Sequence, residues 1–481
     1  MDIPFGDFRP DISDLNRTFA SQAKNVVPLG IGYGPVPSMQ AYSASALASR
    51  AYGLFAGRKS AASWALYAGT LTKLYLLSGS SWSDASRLAG GNYNVSSTEF
   101  WRFAQFGTYV YATNVNDALQ RIDVDSGTNF AAVGGSPPQA RNIAVVGDFV
   151  VLSSLSSDPY KIHWSAINDP TGWTIGTSLS DVQTFGDGGR VAGVAGGEVG
   201  YVLQEYAIRR MRFQPGSDYV FTFERVVDGK GCVSPYGFVA VAGTVYFVAE
   251  DGLYSYSGQG LNPLGAQRVN DWFLDNADTS RLNQVMAFAD PFRPRIYWAF
   301  YSSANSAYFD RVLAYDWSLD RFSWFEATAE VWGQAATPGI GLDSISGTLE
   351  TLATSFDSRS YEGGRLGVSA FSSSHVLSFL DGSNTEATLE TAEVTPYGEG
   401  RGLTTYVRPV IDTTAALVSV AARETFQATS SYGSEAGLNA IGQAPLRAGG
   451  RYHRYKVRVP AGSDWTIAEY VSVEPVSQGR R

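Results

Sequence analysis

The chain has 481 residues, 44% hydrophobic and 17% charged, which gives room for roughly two to four domains. Its net charge of -9 excludes a dominant basic surface of the kind that binds nucleic acid by neutralising phosphates. The 27 Tyr, 26 Phe, 11 Trp and 51 Gly point to pleated, half-buried sheets joined by tight turns, and the single cysteine, Cys232, excludes an internal disulfide and a cysteine-rich zinc site.

Residues 1 to 50 are irregular, with Pro4, Pro10, Pro28, Pro35 and Pro37 and the run Gly30-Ile31-Gly32-Tyr33-Gly34. They predict an extended N-terminal arm, with one short helix in the Ala-rich stretch Ser43 to Ala51. The opening residues carry neither a basic nor an apolar leader segment, and nowhere do about 18 apolar residues run together. No secretion signal and no membrane span are expected, and the absence of disulfides suits folding in a reducing cytoplasm.

From residue 51 to 330 one unit recurs: an apolar strand, a glycine turn, a second apolar strand, a loop, then a third strand. The copies begin at Trp64-Ala65-Leu66-Tyr67, Phe103-Ala104-Gln105-Phe106, Ile143-Ala144-Val145-Val146, Val191-Ala192-Gly193-Val194 and Phe238-Val239-Ala240-Val241. A sixth copy, from Val285-Met286-Ala287-Phe288, has Pro294 in place of the turn glycine. Gly69, Gly107, Gly147, Gly196 and Gly243 lie 38, 40, 49 and 47 residues apart, the period of four-stranded propeller blades. The expected fold is all-β, a β-propeller of about six blades. Five to seven blades fit the ragged ends of the repeat, and a sandwich array or β-solenoid is the competing architecture. A short helix is expected at Val269-Asn270-Asp271-Trp272-Phe273-Leu274, between the fifth and sixth units.

Residues 331 to 365 are rich in Gly, Ser and Thr and lack the repeat, which predicts a connecting segment. From residue 366 to 481 alternating runs return, at His375 to Leu380, Ala387 to Val394, Thr405 to Ile411 and Tyr452 to Val459. They predict a C-terminal antiparallel β domain of sandwich type.

Chemistry-bearing clusters are sparse. The three histidines, His163, His375 and His453, are far apart and sit in strand-like runs, so no metal site is expected. The glycine-rich segments at 186–189 and 193–197 fit neither a Walker A loop nor a dinucleotide fingerprint and read as turns. Asp123 with Asp125, and Asp316 with Asp320, are the carboxylate pairs a propeller glycosidase would draw on, but they stand in hairpins where Asp is the expected turn former. The aromatic residues are numerous enough for a carbohydrate-binding face, yet most occupy alternating strand positions that a propeller buries. Small basic groups at 209–212, 451–458 and 480–481 read as interface or solvated strand faces. No cofactor is expected.

Three stretches carry a family resemblance. Phe5-Gly6-Asp7-Phe8-Arg9-Pro10-Asp11, leading into Ala23-Lys24-Asn25-Val26-Val27-Pro28, resembles the start of phage tail-hub proteins. His163-Trp164-Ser165-Ala166-Ile167-Asn168-Asp169-Pro170-Thr171-Gly172-Trp173 is similar to a segment recurrent in them. Gly450-Arg451-Tyr452-His453-Arg454-Tyr455, with Val459-Pro460-Ala461-Gly462 and Trp465, resembles their closing motif. The family is the tail nozzle, or tail-hub, protein of short-tailed bacteriophages. The resemblance implies a structural, non-enzymatic virion component assembled in the host cytoplasm: a homohexameric ring that extends the DNA channel, retains packaged DNA and docks tail fibres or spikes. Its implied partners are further copies of itself, the portal adaptor or head-to-tail connector, a fibre or spike, and DNA sliding through the lumen without sequence-specific binding. Phe5, Phe8, Arg9 and Pro10 are the expected anchors of the arm against a neighbouring ring. A propeller glycoside hydrolase or lyase, and a lectin-like carbohydrate-binding module, are the alternatives. The first requires convergent carboxylates in one central pocket, the second exposed Tyr and Trp.

Overall fold

The computed structural model of the chain describes residues 1–13, 19–42, 44–61, 63–305, 307–336, 364–398 and 400–478. The sequence repeats become six blades, each of four antiparallel strands. Their innermost strands are Gly53–Arg58, Arg102–Phe106, Ala140–Val146, Val191–Ala195, Phe238–Val241 and Met286–Ala289. Each blade then runs outward in sequence order, so pairing within a blade is local. The first copy read from the sequence began one strand late: Trp64–Gly69 is the second strand of its blade, paired along its length with Gly53–Arg58.

A further four-stranded sheet fills the gap between the sixth blade and the first. It consists of Val331–Ala336, Leu366–Phe371 and Leu377–Asn384, and its outermost strand is Pro37–Ala41 from the other end of the chain. Val331–Ala336 packs against both Gly53–Arg58 and Met286–Ala289, which completes the ring. Closing a ring with a strand from the opposite end of the chain leaves no open blade face to aggregate.

This sheet moves two expected boundaries. Residues 331 to 365 were expected to connect two domains, and the C-terminal domain to begin at 366. Instead 331–336 and 366–384 belong to the ring, and most of the Gly/Ser/Thr-rich texture falls on 337–363, outside the described residues. Composition averaged over that whole stretch hid the apolar strands Val-Trp-Gly-Gln-Ala-Ala and Leu-Gly-Val-Ser-Ala-Phe at its borders.

The N-terminal arm is not a free appendage. Asp2–Pro4 pairs with the C-terminal strand Ala468–Val473, and Val26–Pro28 and Tyr33–Pro35 extend the same sheet. Phe19–Lys24 pairs with Ala387–Thr391 on one side and touches Arg321–Ala329 of the sixth blade on the other. One ten-stranded sheet therefore runs from the sixth blade through the arm into the C-terminal domain. That domain is a sandwich: this sheet's outer half, with Tyr452–Val459 and Leu417–Arg423, faces the sheet built on Gly402–Ile411 and Ala468–Val473. Their buried side chains, among them Tyr455, Val457, Val407 and Val471, share one core with Trp298 and Trp324 of the sixth blade.

The helix between the fifth and sixth blades is present at Asn270–Asn276, its N-terminal amides at Asp271 and Trp272 donating to the Asp11 carboxylate of the arm at 3.0 and 2.9 Å. The helix expected over 43–51 does not form among its described residues, which run as an irregular connection. Their bonds go to other elements: the Leu47 amide donates to the His375 carbonyl, and the Ala51 amide to the buried Glu330 carboxylate at 2.8 Å.

Candidate functional site

Seven inner strands converge on a central channel whose main cavity has a volume of about 620 Å³. Side chains near the axis of a closed ring must be small or lie flat, and the lining follows that rule: Ala56, Ala104, Ala144, Ala195, Ala240 and Ala289 alternate with flat aromatics such as Phe55 and Phe103, which stack at 5.6 Å. Among the described residues that line this cavity there is no Asp and no Glu. The one formal charge among them is Arg102, at the start of the second blade's inner strand.

Polar chemistry collects at the mouth where the inner strands begin, a cavity of about 270 Å³. Glu99 is clamped there. Its two carboxylate oxygens accept from Arg141 Nε and Nη2 at 2.9 to 3.1 Å, and the Tyr236 hydroxyl donates to Oε2 at 2.5 Å. The Tyr236 oxygen in turn accepts the Phe100 amide at 3.1 Å. Burial opposes the Arg141 charge, but the bonds from Glu99 outweigh it and hold the guanidinium above its ordinary pKa. Burial, reinforced by the Glu99 charge, pushes the Tyr236 hydroxyl well above the usual tyrosine range. A carboxylate with both oxygens engaged this way is a pin between blades and is poorly placed to move protons. The second carboxylate at this mouth, Glu205, accepts the Arg190 amide at 2.9 Å.

The carboxylate pairs singled out from the sequence are turn formers. Asp123 Oδ1 accepts the amides of Asp125 and Ser126 at 3.0 and 2.9 Å, and Asp125 binds the Ser60 amide and hydroxyl across to the first blade. Asp316 accepts the Ser318 and Leu319 amides and faces Arg295, while Asp320 accepts from the Tyr315 hydroxyl and Arg268. The histidines stay apart. His163 meets Trp173 edge-on at 5.3 Å, His375 Nδ1 lies 2.6 Å from Glu330 Oε1, and buried His453 lies 2.9 Å from the Thr404 hydroxyl. No group of three metal-binding side chains occurs among the described residues.

The basic group at 209–212 is largely neutralised in place: Arg209 and Arg225 share Asp187, and Arg210 pairs with Glu224. Arg458 pairs with Glu386 and Glu435. Arg480 and Arg481 lie outside the described residues. In the glycine-rich stretches Gly188, Gly189 and Gly197 take positive φ, as turns do.

Of the expected arm anchors, Phe5 and Phe8 are corrected: both are core residues of their own chain, 2% and 0% exposed, with Phe8 edge-on to Trp272 at 5.6 Å. Apolar rings in a strand-poor terminus read as sticky from sequence; the sandwich core had already claimed them. Arg9 lies over the Phe19 ring at 4.3 Å and pairs with Asp7 at 3.1 Å, and Pro10 is half-buried beside it. The segment from His163 to Trp173 is a rigid outer corner of the third blade: Asp169 Oδ1 accepts the Thr171 amide and hydroxyl, and Trp173 Nε1 donates to the Pro170 carbonyl at 2.7 Å.

Glu99, Arg102, Arg141 and Tyr236 escaped the sequence reading. They come from three blades or their lead-ins, and no local spacing marks them; only an acid and a tyrosine at the entries to inner strands hinted at this mouth.

No protein-family model matches the chain, and no curated protein matches it. Among solved structures it is similar to a computationally designed protein at 10% identity, covering 75% of this chain and 95% of that one with a TM-score of 0.39. It is similar to BamB from Moraxella catarrhalis at 12% identity, covering 60% and 76% with a TM-score of 0.34. An exo-beta-1,3-galactanase from Phanerochaete chrysosporium is similar at 11% identity, covering 81% and 98% with a TM-score of 0.27. At such scores and identities no activity is transferable.

Proposed function

We propose that this chain is a structural subunit of a phage tail, a nozzle or hub protein that assembles into a ring, extends the DNA channel, retains packaged DNA and docks fibres or spikes. One observation carries the reading beyond the motif resemblance: the ten-stranded sheet that joins the sixth blade, the N-terminal arm and the C-terminal sandwich. The arm strand pairs along Ala387–Thr391, meets the sixth blade at Lys24 beside Trp324, and the blade and sandwich share one buried core, so the joint between them is packed rather than hinged, as suits a ring subunit. The net charge of -9 supports a lumen past which DNA slides. The clamped Glu99, and a main-cavity lining without Asp or Glu among the described residues, weigh against glycoside hydrolysis in this channel.

The test is the mass and shape of the purified protein, alone and with portal and adaptor components, by light scattering and negative-stain imaging. A hexameric ring with an axial hole, alone or on the adaptor, supports the reading. A protein that stays monomeric throughout and binds or cleaves a glycan overturns it.

A further inference from the structure

Arg102 is the one charged side chain among the described residues that line the main cavity. Its guanidinium lies 5.9 Å from the Tyr236 ring centre and 5.8 Å from that of Phe238, and among the described residues it has no hydrogen-bonding or ion-pair partner. The groups that act on its charge are Tyr236 and Cys232, both neutral near pH 7, and burial holds its pKa below the ordinary arginine value. The neighbouring carboxylate, Glu99, is already spent on Arg141 and Tyr236. Arg102 is half-buried and open to the cavity, and a charge drawn partly out of bulk water gains from an opposite charge that reaches it.

Most other side chains along the wall are apolar, Phe55, Phe103, Val194, Phe238 and Phe288 among them, and the amide of Gln334 is tied back to the Ala289 carbonyl at 2.9 Å. The volume of about 620 Å³ lies within the range of small-molecule sites, roughly 300 to 1,000 Å³.

We propose that the propeller channel is a binding site for an amphiphilic carboxylate, such as a medium-chain fatty acid, with Arg102 taking the carboxylate and the channel wall its hydrocarbon chain. Guanidinium and carboxylate match as a two-pronged, charge-assisted pair, and the Tyr236 and Phe238 rings flank the guanidinium within cation–π range.

The experiment is calorimetric titration of the full-length protein with decanoate, decanol and decyltrimethylammonium. Decanoate is expected to bind tightest and the cation not at all, and this ranking on the unaltered protein needs no variant. Arg102→Met, checked for an unchanged melting profile, is expected to lower decanoate affinity about tenfold or more while leaving decanol binding unchanged. Equal affinity for decanoate and decanol, no binding of decanoate, or undiminished decanoate binding by a folded Arg102→Met protein would each overturn the proposal.

Discussion

Arg321, on the outer strand of the sixth blade, holds its guanidinium 2.9 Å from the carboxylate of Asp7 in the N-terminal arm. The same guanidinium donates to four carbonyls, those of Leu29 and Gly32 at 2.8 and 3.0 Å and of Phe5 and Gly6 at 3.3 and 3.1 Å, and it lies over the Tyr33 ring at 4.6 Å. Two separate passes of the arm therefore converge on one side chain. Arg295 of the same blade adds a bond to the Pro28 carbonyl at 3.2 Å.

Replacing Arg321 by Met keeps much of the volume but leaves four carbonyls and Asp7 short of their donor. Arg321→Met is expected to cost about 3 kcal/mol, with residues 1–35 becoming the first site of cleavage. Urea denaturation with limited proteolysis checks both. Stability and cleavage pattern unchanged would show that the arm is held by its strand pairing alone.

The repeated glycines serve two different purposes, and substitution separates them. Gly107 sits in a hairpin turn at φ 58° with open space around it, so Gly107→Ala meets only backbone strain, about 1 to 2 kcal/mol. Gly69 pairs with Gly53 across two strands, and a Cβ there would stand 2.2 Å from Trp101 Cδ1. Gly69→Ala is expected to cost more, about 3 kcal/mol, and to shift Trp101 fluorescence, while Gly107→Ala leaves the emission unchanged.

His163 and His453 are buried, and burial holds both pKa values below the ordinary 6.5. The unfolded chain then binds protons that the folded chain refuses. Their contribution to stability is complete above about pH 6.5 and is lost as pH falls from there toward the depressed folded values, at up to about 1.4 kcal/mol per pH unit for each histidine. His453→Gln is expected to remove one such slope. Urea midpoints measured from pH 8 to pH 5 test this, and a slope identical in the variant and the parent would refute it for His453.

Glu99→Ala strands the Arg141 guanidinium and the Tyr236 hydroxyl at the polar mouth. Arg141 is part exposed, so the cost is expected to be about 2 kcal/mol, below that of breaking a fully buried pair. Tyr236→Phe, which removes only the hydroxyl, is expected to cost about half as much. The reverse order in thermal melts would mean that Tyr236, through the Phe100 amide, is the main tie.

Periodicity reported the blades because their pairing is local. Each strand from Gly53 to Ala329 bonds to its sequence neighbour, so the pattern of apolar runs and turn glycines such as Gly107, Gly147 and Gly243 carries the architecture directly. The same locality made the Asp123 and Asp316 turns legible, since an Asp accepts from amides two or three residues ahead. The helix at Asn270–Asn276 was legible for a like reason.

Long-range partners left no such trace. That Pro37–Ala41 completes a sheet with Leu377–Asn384, that Phe5 and Phe8 belong to the core, and that Glu99, Arg141 and Tyr236 meet at one mouth were settled only when the chain closed on itself. Side chains at one end of the chain are buried by residues hundreds of positions away, and the free energy that selects those contacts comes from desolvating both surfaces together. Local pattern thus determined the blade and its turns. Ring closure, the weld of the arm and the place of Arg102, unpaired among the described residues, were decided by tertiary packing, because each depends on which groups meet once every strand has found its own.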